Sequence, residues 1–141
     1  MNLSKHFTLS ELTHSETADK HGIDNSLSLS CDIWIITNLT DLCLLVLEPI
    51  RTYVGAPIFV NSGYRCSRLN ELLGGVATSQ HLTGNAADIT WEGFSSNCLE
   101  VVFKIACNMW HLPIDQVILY DTFIHVSYSS TRRRIFLDYR S

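Results

Sequence analysis

The sequence predicts an α+β fold, a small antiparallel sheet with helices packed on one side. Three observations predict it. Apolar residues recur at helical spacing from Ile33 to Ile50, and period-two strand patterns crowd the last third of the chain. Only Asp121-Thr122 separates two of those strands, a link too short for a helical crossover and suited to an antiparallel hairpin.

Taken in order, Thr8-Leu9-Ser10-Glu11 matches a capping box and predicts a short helix running to about His21, where Gly22 stops it. Residues 23–31 are polar and loop-like. Ile33, Ile36, Leu39, Cys43, Val46, Leu47 and Ile50 then mark the main core helix, ending at Gly55-Ala56-Pro57. Residues 57–62 read as a strand, 67–73 as a short helix closed by Gly74-Gly75, and 86–90 as a second strand after a polar loop. Ser95 or Ser96 caps a helix that turns Leu99, Val102, Phe103, Cys107 and Trp110 inward and stops before Pro113. Strands over 114–120, 123–128 and 134–139 complete the chain.

A length of 141 residues with 46% hydrophobic content suits one core, so 1–141 reads as a single domain with 1–30 as a helical and loop segment packed on it. No repeat, low-complexity tract or Pro/Gly/Ser-rich linker divides it. The net charge of −4 gives no basic excess, which argues against nucleic acid as a partner. Arg132, Arg133, Arg134 and Arg140 hold four of the ten lysines and arginines, read as a solvated strand edge with a docking patch as the alternative. Five cysteines without CxxC spacing point to neither a disulfide framework nor a cysteine zinc site. The N-terminus lacks an export pattern, and the longest apolar run, Leu42 to Leu47, is too short to cross a bilayer. Cytosolic synthesis, no membrane insertion and a monomer are expected.

The chemistry concentrates in Ser79-Gln80-His81-Leu82-Thr83-Gly84-Asn85-Ala86-Ala87-Asp88, where an imidazole and a carboxylate stand seven positions apart around a glycine-bearing bend. That spacing alone is weak, because His14 and His21 share it. A second histidine strengthens it. In Phe123-Ile124-His125-Val126-Ser127-Tyr128, alternation puts Phe123, His125 and Ser127 on one face of a strand and Ile124, Val126 and Tyr128 on the other. Two imidazoles and one carboxylate leave the fourth position of a tetrahedral zinc ion open to water, the arrangement of hydrolytic rather than structural sites.

Together with Ser62-Gly63-Tyr64-Arg65, Asn70 with Gly74-Gly75, and the opening Ser4-Lys5-His6-Phe7-Thr8-Leu9-Ser10-Glu11-Leu12, these segments resemble the D-Ala-D-Ala carboxypeptidase family of zinc peptidases. That family is related to D-Ala-D-Ala dipeptidases, phage L-alanyl-D-glutamate endopeptidases and the hedgehog signalling domain. The resemblance implies that His81, Asp88 and His125 hold Zn2+, that Arg65 steadies the scissile carbonyl or oxyanion, and that Ser79 orients substrate. It also implies peptidoglycan stem peptides as partners, with D-Ala-D-Ala carboxypeptidase or L-Ala-D-Glu endopeptidase action both fitting. A phage endolysin or virion-associated factor acting at the cell wall after release is the expected setting.

One position departs from the pattern. Many relatives carry an acid three residues before the last ligand, where this chain has Thr122, and the nearest acid is Asp121. Asp121 is therefore the expected general base, with a plain turn residue as the alternative; four extended residues would hold it roughly 13 Å from His125, so the role requires a bend. Asp115 and Glu92 are weaker substitutes. Arg65 as a surface ion pair and Gly63 as a turn former remain the structural alternatives. Two functions compete with the peptidase: a zinc-stabilised binding module that has lost activity, and a metal-free interaction domain.

Overall fold

The structure is a computed structural model that describes residues 1–95, 104–105, 112–131 and 133–141. The chain opens with two short helices, α1 (Leu9–Thr13) and α2 (Glu16–Lys20). Both halves of the Thr8/Glu11 capping box form. The single helix expected to reach His21 is broken because His14 turns extended and the Ser15 hydroxyl caps a second helix, accepting from the Ala18 N–H at 3.1 Å.

The main helix runs as α3 (Ile33–Leu42), a π-helical segment (Cys43–Leu47) and α4 (Glu48–Val54), ending at Gly55. Pro49 explains the π segment. Proline has no N–H and its ring clashes with the carbonyl four residues back, so the turn before it widens and the Glu48 N–H reaches Cys43 O, five residues away. By length and composition, Ile33–Val54 is apolar enough to span a membrane, beyond what the run Leu42 to Leu47 indicated. Its Ile35, Ile36, Leu39, Leu42, Cys43, Val46, Leu47 and Ile50 are nevertheless buried in the hydrophobic core. Burial of each large aliphatic side chain contributes about 1.5–3 kcal/mol. The same burial pushes the Cys43 thiol up to about 12, so it acts as a small hydrophobe.

The sheet contains β1 (Ile58–Ser62), β2 (Ala86–Trp91), β3 (Ile114–Leu119), β4 (Ile124–Tyr128) and β5 (Ile135–Asp138), in the order β1-β2-β4-β3-β5. Between β1 and β2 lie α5 (Ser67–Leu72) and a 3-10 turn (Gln80–Thr83), which falls in a stretch expected to be loop. The α+β class and the β3–β4 hairpin stand. The sheet is mixed, however, because the edge strand β5 runs parallel to β3 while the other pairings are antiparallel. The helix expected from Ser95 or Ser96 to Pro113 lies outside the described residues except Lys104 and Ile105, which are helical.

Strand register decides which side chains meet. Ala87 faces Val126, Asp88 faces His125 and Ile89 faces Ile124 across β2 and β4, and Ile118 in β3 lies beside His125. Side chains alternate across the sheet. Ala87, Ile89, Ile124, Val126, Val117 and Leu119 therefore enter the core with the main helix, while Asp88, His125 and Ile118 emerge on the opposite face.

Candidate metal centre and active-site cleft

The face of the sheet opposite the core floors a cleft of about 480 Å³. Three elements deliver donors to it. Asp88 and His125 come from adjacent strands, and His81 comes from the 3-10 turn that precedes β2. Gly84 ends that turn at φ 75°, a left-handed conformation, and a side chain there would crowd the Ile35 carbonyl oxygen.

One ligand atom from each of His81, Asp88 and His125 lies within 4.8 Å of the others. Asp88 Oδ1 is 2.9 Å from His125 Nδ1 and 3.4 Å from His81 Nε2. Donors about 2.0–2.1 Å from a tetrahedral zinc ion stand about 3.3 Å apart, so these spacings fit the ion with small side-chain shifts. The donor chemistry fits too. The Gly63 carbonyl can only accept, so His81 Nδ1 donates its proton there at 2.7 Å and Nε2 keeps its lone pair for the cluster.

Gly63 is required by close approach. A Cβ at this position would overlap the Leu12 carbonyl oxygen, which already accepts from the Tyr64 N–H at 2.7 Å. The N-terminal segment thus abuts the backbone that orients His81. Asn25, buried, extends that support: its Nδ2 donates to Thr13 O and Tyr64 O, and its Oδ1 accepts from the Cys66 N–H. These bonds flank Arg65.

Arg65 reaches the cluster with Nη2, 3.2 Å from Asp88 Oδ2, while its Nε donates to Ser62 Oγ at 3.0 Å. Burial of Asp88 alone would raise its pKa. The imidazoles of His125 and His81 beside it outweigh that and hold the carboxyl well below the usual range, so it stays an anion. Ser79 lines the cleft, and its hydroxyl caps the 3-10 turn by accepting from the His81 N–H at 3.3 Å.

The structure does not bring Asp121 to this group. Its exposed carboxylate accepts from the Ser141 hydroxyl at 2.6 Å, and it is not among the described residues lining the cleft. Glu92 is exposed beyond β2, and Asp115 is buried beneath the wall, bonded to Arg133 and Gln80. Asp88 is the one carboxylate among the described lining residues.

Tyr120 and Arg133 also line the cleft, a role that the sequence pattern does not assign to them. Tyr120 stacks on Phe123, with ring centroids 4.6 Å apart, and burial followed by the Asp88 charge raises its phenol pKa, keeping it protonated. Arg133 belongs to a basic run that looked like strand edge. The only sequence signal for Tyr120 was its place two residues beyond Ile118 on the cleft-facing side of β3.

Comparison with curated proteins returns no match. The family model described as Peptidase M15 matches residues 5–127, most of the chain. The match includes every residue of the His81, Asp88 and His125 cluster, whose donor set suits zinc and hydrolysis. The chain belongs to the Peptidase M15 family and is a zinc-dependent peptidase.

Proposed function

We propose that this zinc peptidase hydrolyses peptide bonds in peptidoglycan stem peptides, as a cell-wall lytic enzyme of the endolysin type, with His81, Asp88 and His125 as the metal ligands. The observation that carries the reading is the convergence of those three donors within 4.8 Å on the floor of a polar cleft that also contains Arg65. Zinc, when bound, supplies a Lewis acid and makes water nucleophilic near neutral pH.

The chain's own residues do the rest. Arg65 is held by Ser62 and Asp88 through Nε and Nη2, and no described residue bonds its Nη1, which is left to meet the charge growing on the carbonyl oxygen. Its side chain is only 15% exposed, so little water competes, and a preorganised donor in such a site is worth about 10²–10³ in rate. Tyr120, protonated and beside Asp88 and Arg65, passes its phenolic proton to the departing amine and regains one from the attacking water, in place of the expected Asp121.

The test is to incubate zinc-loaded protein with purified peptidoglycan and follow new amino termini and fragment masses. New termini that fall by about 10²-fold in Arg65→Ala, at unchanged zinc content, are expected. Peptidoglycan binding with no new termini would overturn the reading in favour of a zinc-stabilised binding module.

A further inference from the structure

Arg133 is built into the same cleft as His81 and His125. Its backbone N–H donates to Asp115 Oδ1 at 2.9 Å, its Nε lies 3.0 and 3.1 Å from Oδ1 and Oδ2, and its Nη2 donates to Oδ2 at 2.6 Å. Asp115 is completely buried and also accepts from Gln80 Nε2 at 3.1 Å. Gln80 directly precedes the ligand His81, so one buried carboxylate braces both the guanidinium and the turn that carries the metal donor.

A guanidinium has five N–H donors in a planar fork. In Arg133, Nε and Nη2 serve Asp115, while Nη1 has no bonding partner among the described residues and the side chain is 51% exposed. The outer edge of the guanidinium is therefore presented to the cleft. Asp115 offsets part of the charge but fixes the direction of the remaining donors, which lowers the entropy lost when a planar anion docks. No carboxylate besides Asp88 is among the described lining residues to repel that anion.

We infer that Arg133 is a specificity-determining residue that recognises a free carboxylate of the peptide substrate. The inference rests on the stem-peptide reading above and deepens it: the preferred substrate is an acidic peptide, and amidation of the recognised carboxylate removes the preference. A stem peptide with lysine at its third position, the type used here, offers two such groups, the α-carboxylate of its γ-linked D-glutamyl residue and its C-terminal carboxylate.

The experiment uses synthetic stem peptides amidated at one or the other carboxylate. Values of kcat/KM are measured with the zinc-loaded protein, and equilibrium binding with zinc-loaded Arg65→Ala, in which turnover is suppressed. Amidation at one of the two positions is expected to lower kcat/KM about tenfold or more, mainly through KM, and to weaken binding by a similar factor. Arg133→Gln should erase the discrimination, and Arg133→Lys should restore only part of it because the fork is lost. Discrimination below about twofold at both positions in the unaltered protein, an arm that needs no Arg133 variant, overturns the inference, as does discrimination that survives in Arg133→Gln. Absence of cleavage would count against the cell-wall peptidase reading instead, and the binding arm would still decide the role of Arg133.

Discussion

Asp88 and His125, 37 positions apart, stand directly opposite each other in the antiparallel register of β2 and β4, with Oδ1 and Nδ1 2.9 Å apart. A one-residue slip in that register would send His125 into the core and Val126 into the cleft. The candidate metal centre is thus a consequence of strand pairing, and its third donor is added by a short turn.

Replacement of a ligand should cost more than the loss of an outer hydrogen bond, which weakens metal affinity about 10–100-fold. Asp88→Asn, which retains shape but loses the charge that faces both histidines, is expected to lower zinc affinity at least 100-fold or so. Competition with a chromophoric chelator measures it, and near-normal affinity would remove Asp88 from the ligand set.

Gly63→Ala forces a methyl group into the Leu12 carbonyl oxygen, a backbone atom that cannot swing aside as a side chain can. Overpacking of this kind costs about 1–3 kcal/mol. A lower denaturant midpoint and weaker zinc binding should appear together, because the same residue's carbonyl orients His81. An unchanged midpoint would show that the N-terminal segment yields freely.

Tyr120 and Asp121 are neighbours with opposite expectations. Tyr120→Phe removes the phenol that lines the cleft and should lower kcat by about 10²-fold or more with zinc content unchanged. Asp121→Asn alters a carboxylate tied to Ser141 at the surface and should leave kcat within about twofold. The reverse pattern would return the acid–base role to Asp121.

Asp115 sets an acid limit. Hydrogen bonds from Arg133 hold its carboxyl below the usual carboxylate range, so the folded-state pKa lies under the unfolded value of about 4. The stabilisation is complete above that unfolded value and is lost as pH falls through the lower folded value. Asp115→Asn should therefore be less stable than the unaltered protein by about 1–3 kcal/mol near pH 7, with the gap closing below about pH 4. Urea midpoints measured from pH 7 to pH 3 would reveal a constant gap if the pairing contributes nothing.

Several features were legible in the chain because adjacent residues record them. The Thr8/Glu11 cap, the period-two alternation around His125, and the turn chemistry of Gly84 all act within a few positions. Pro49 was equally visible, yet apolar periodicity on both sides carried the helix reading through it, and the response was a π segment rather than a stop. Ser15 falls inside the single helix that the Thr8/Glu11 cap predicts, because the second cap depends on how His14 turns. Arg133 looked like an exposed strand edge because nothing local joins it to Asp115, 18 positions earlier.

The sequence by itself determined the α+β class, the strands on which Asp88 and His125 ride, and the donor types that select zinc, since alternation and side-chain chemistry are local properties. Tertiary structure alone decided the parallel docking of β5, the displacement of Asp121 from the cleft, the support that Asn25 and Gly63 give to Arg65 and His81, and the joining of Arg133 to buried Asp115. Those outcomes depend on register and packing between distant segments, where the balance is struck by contacts that no stretch of neighbouring residues contains.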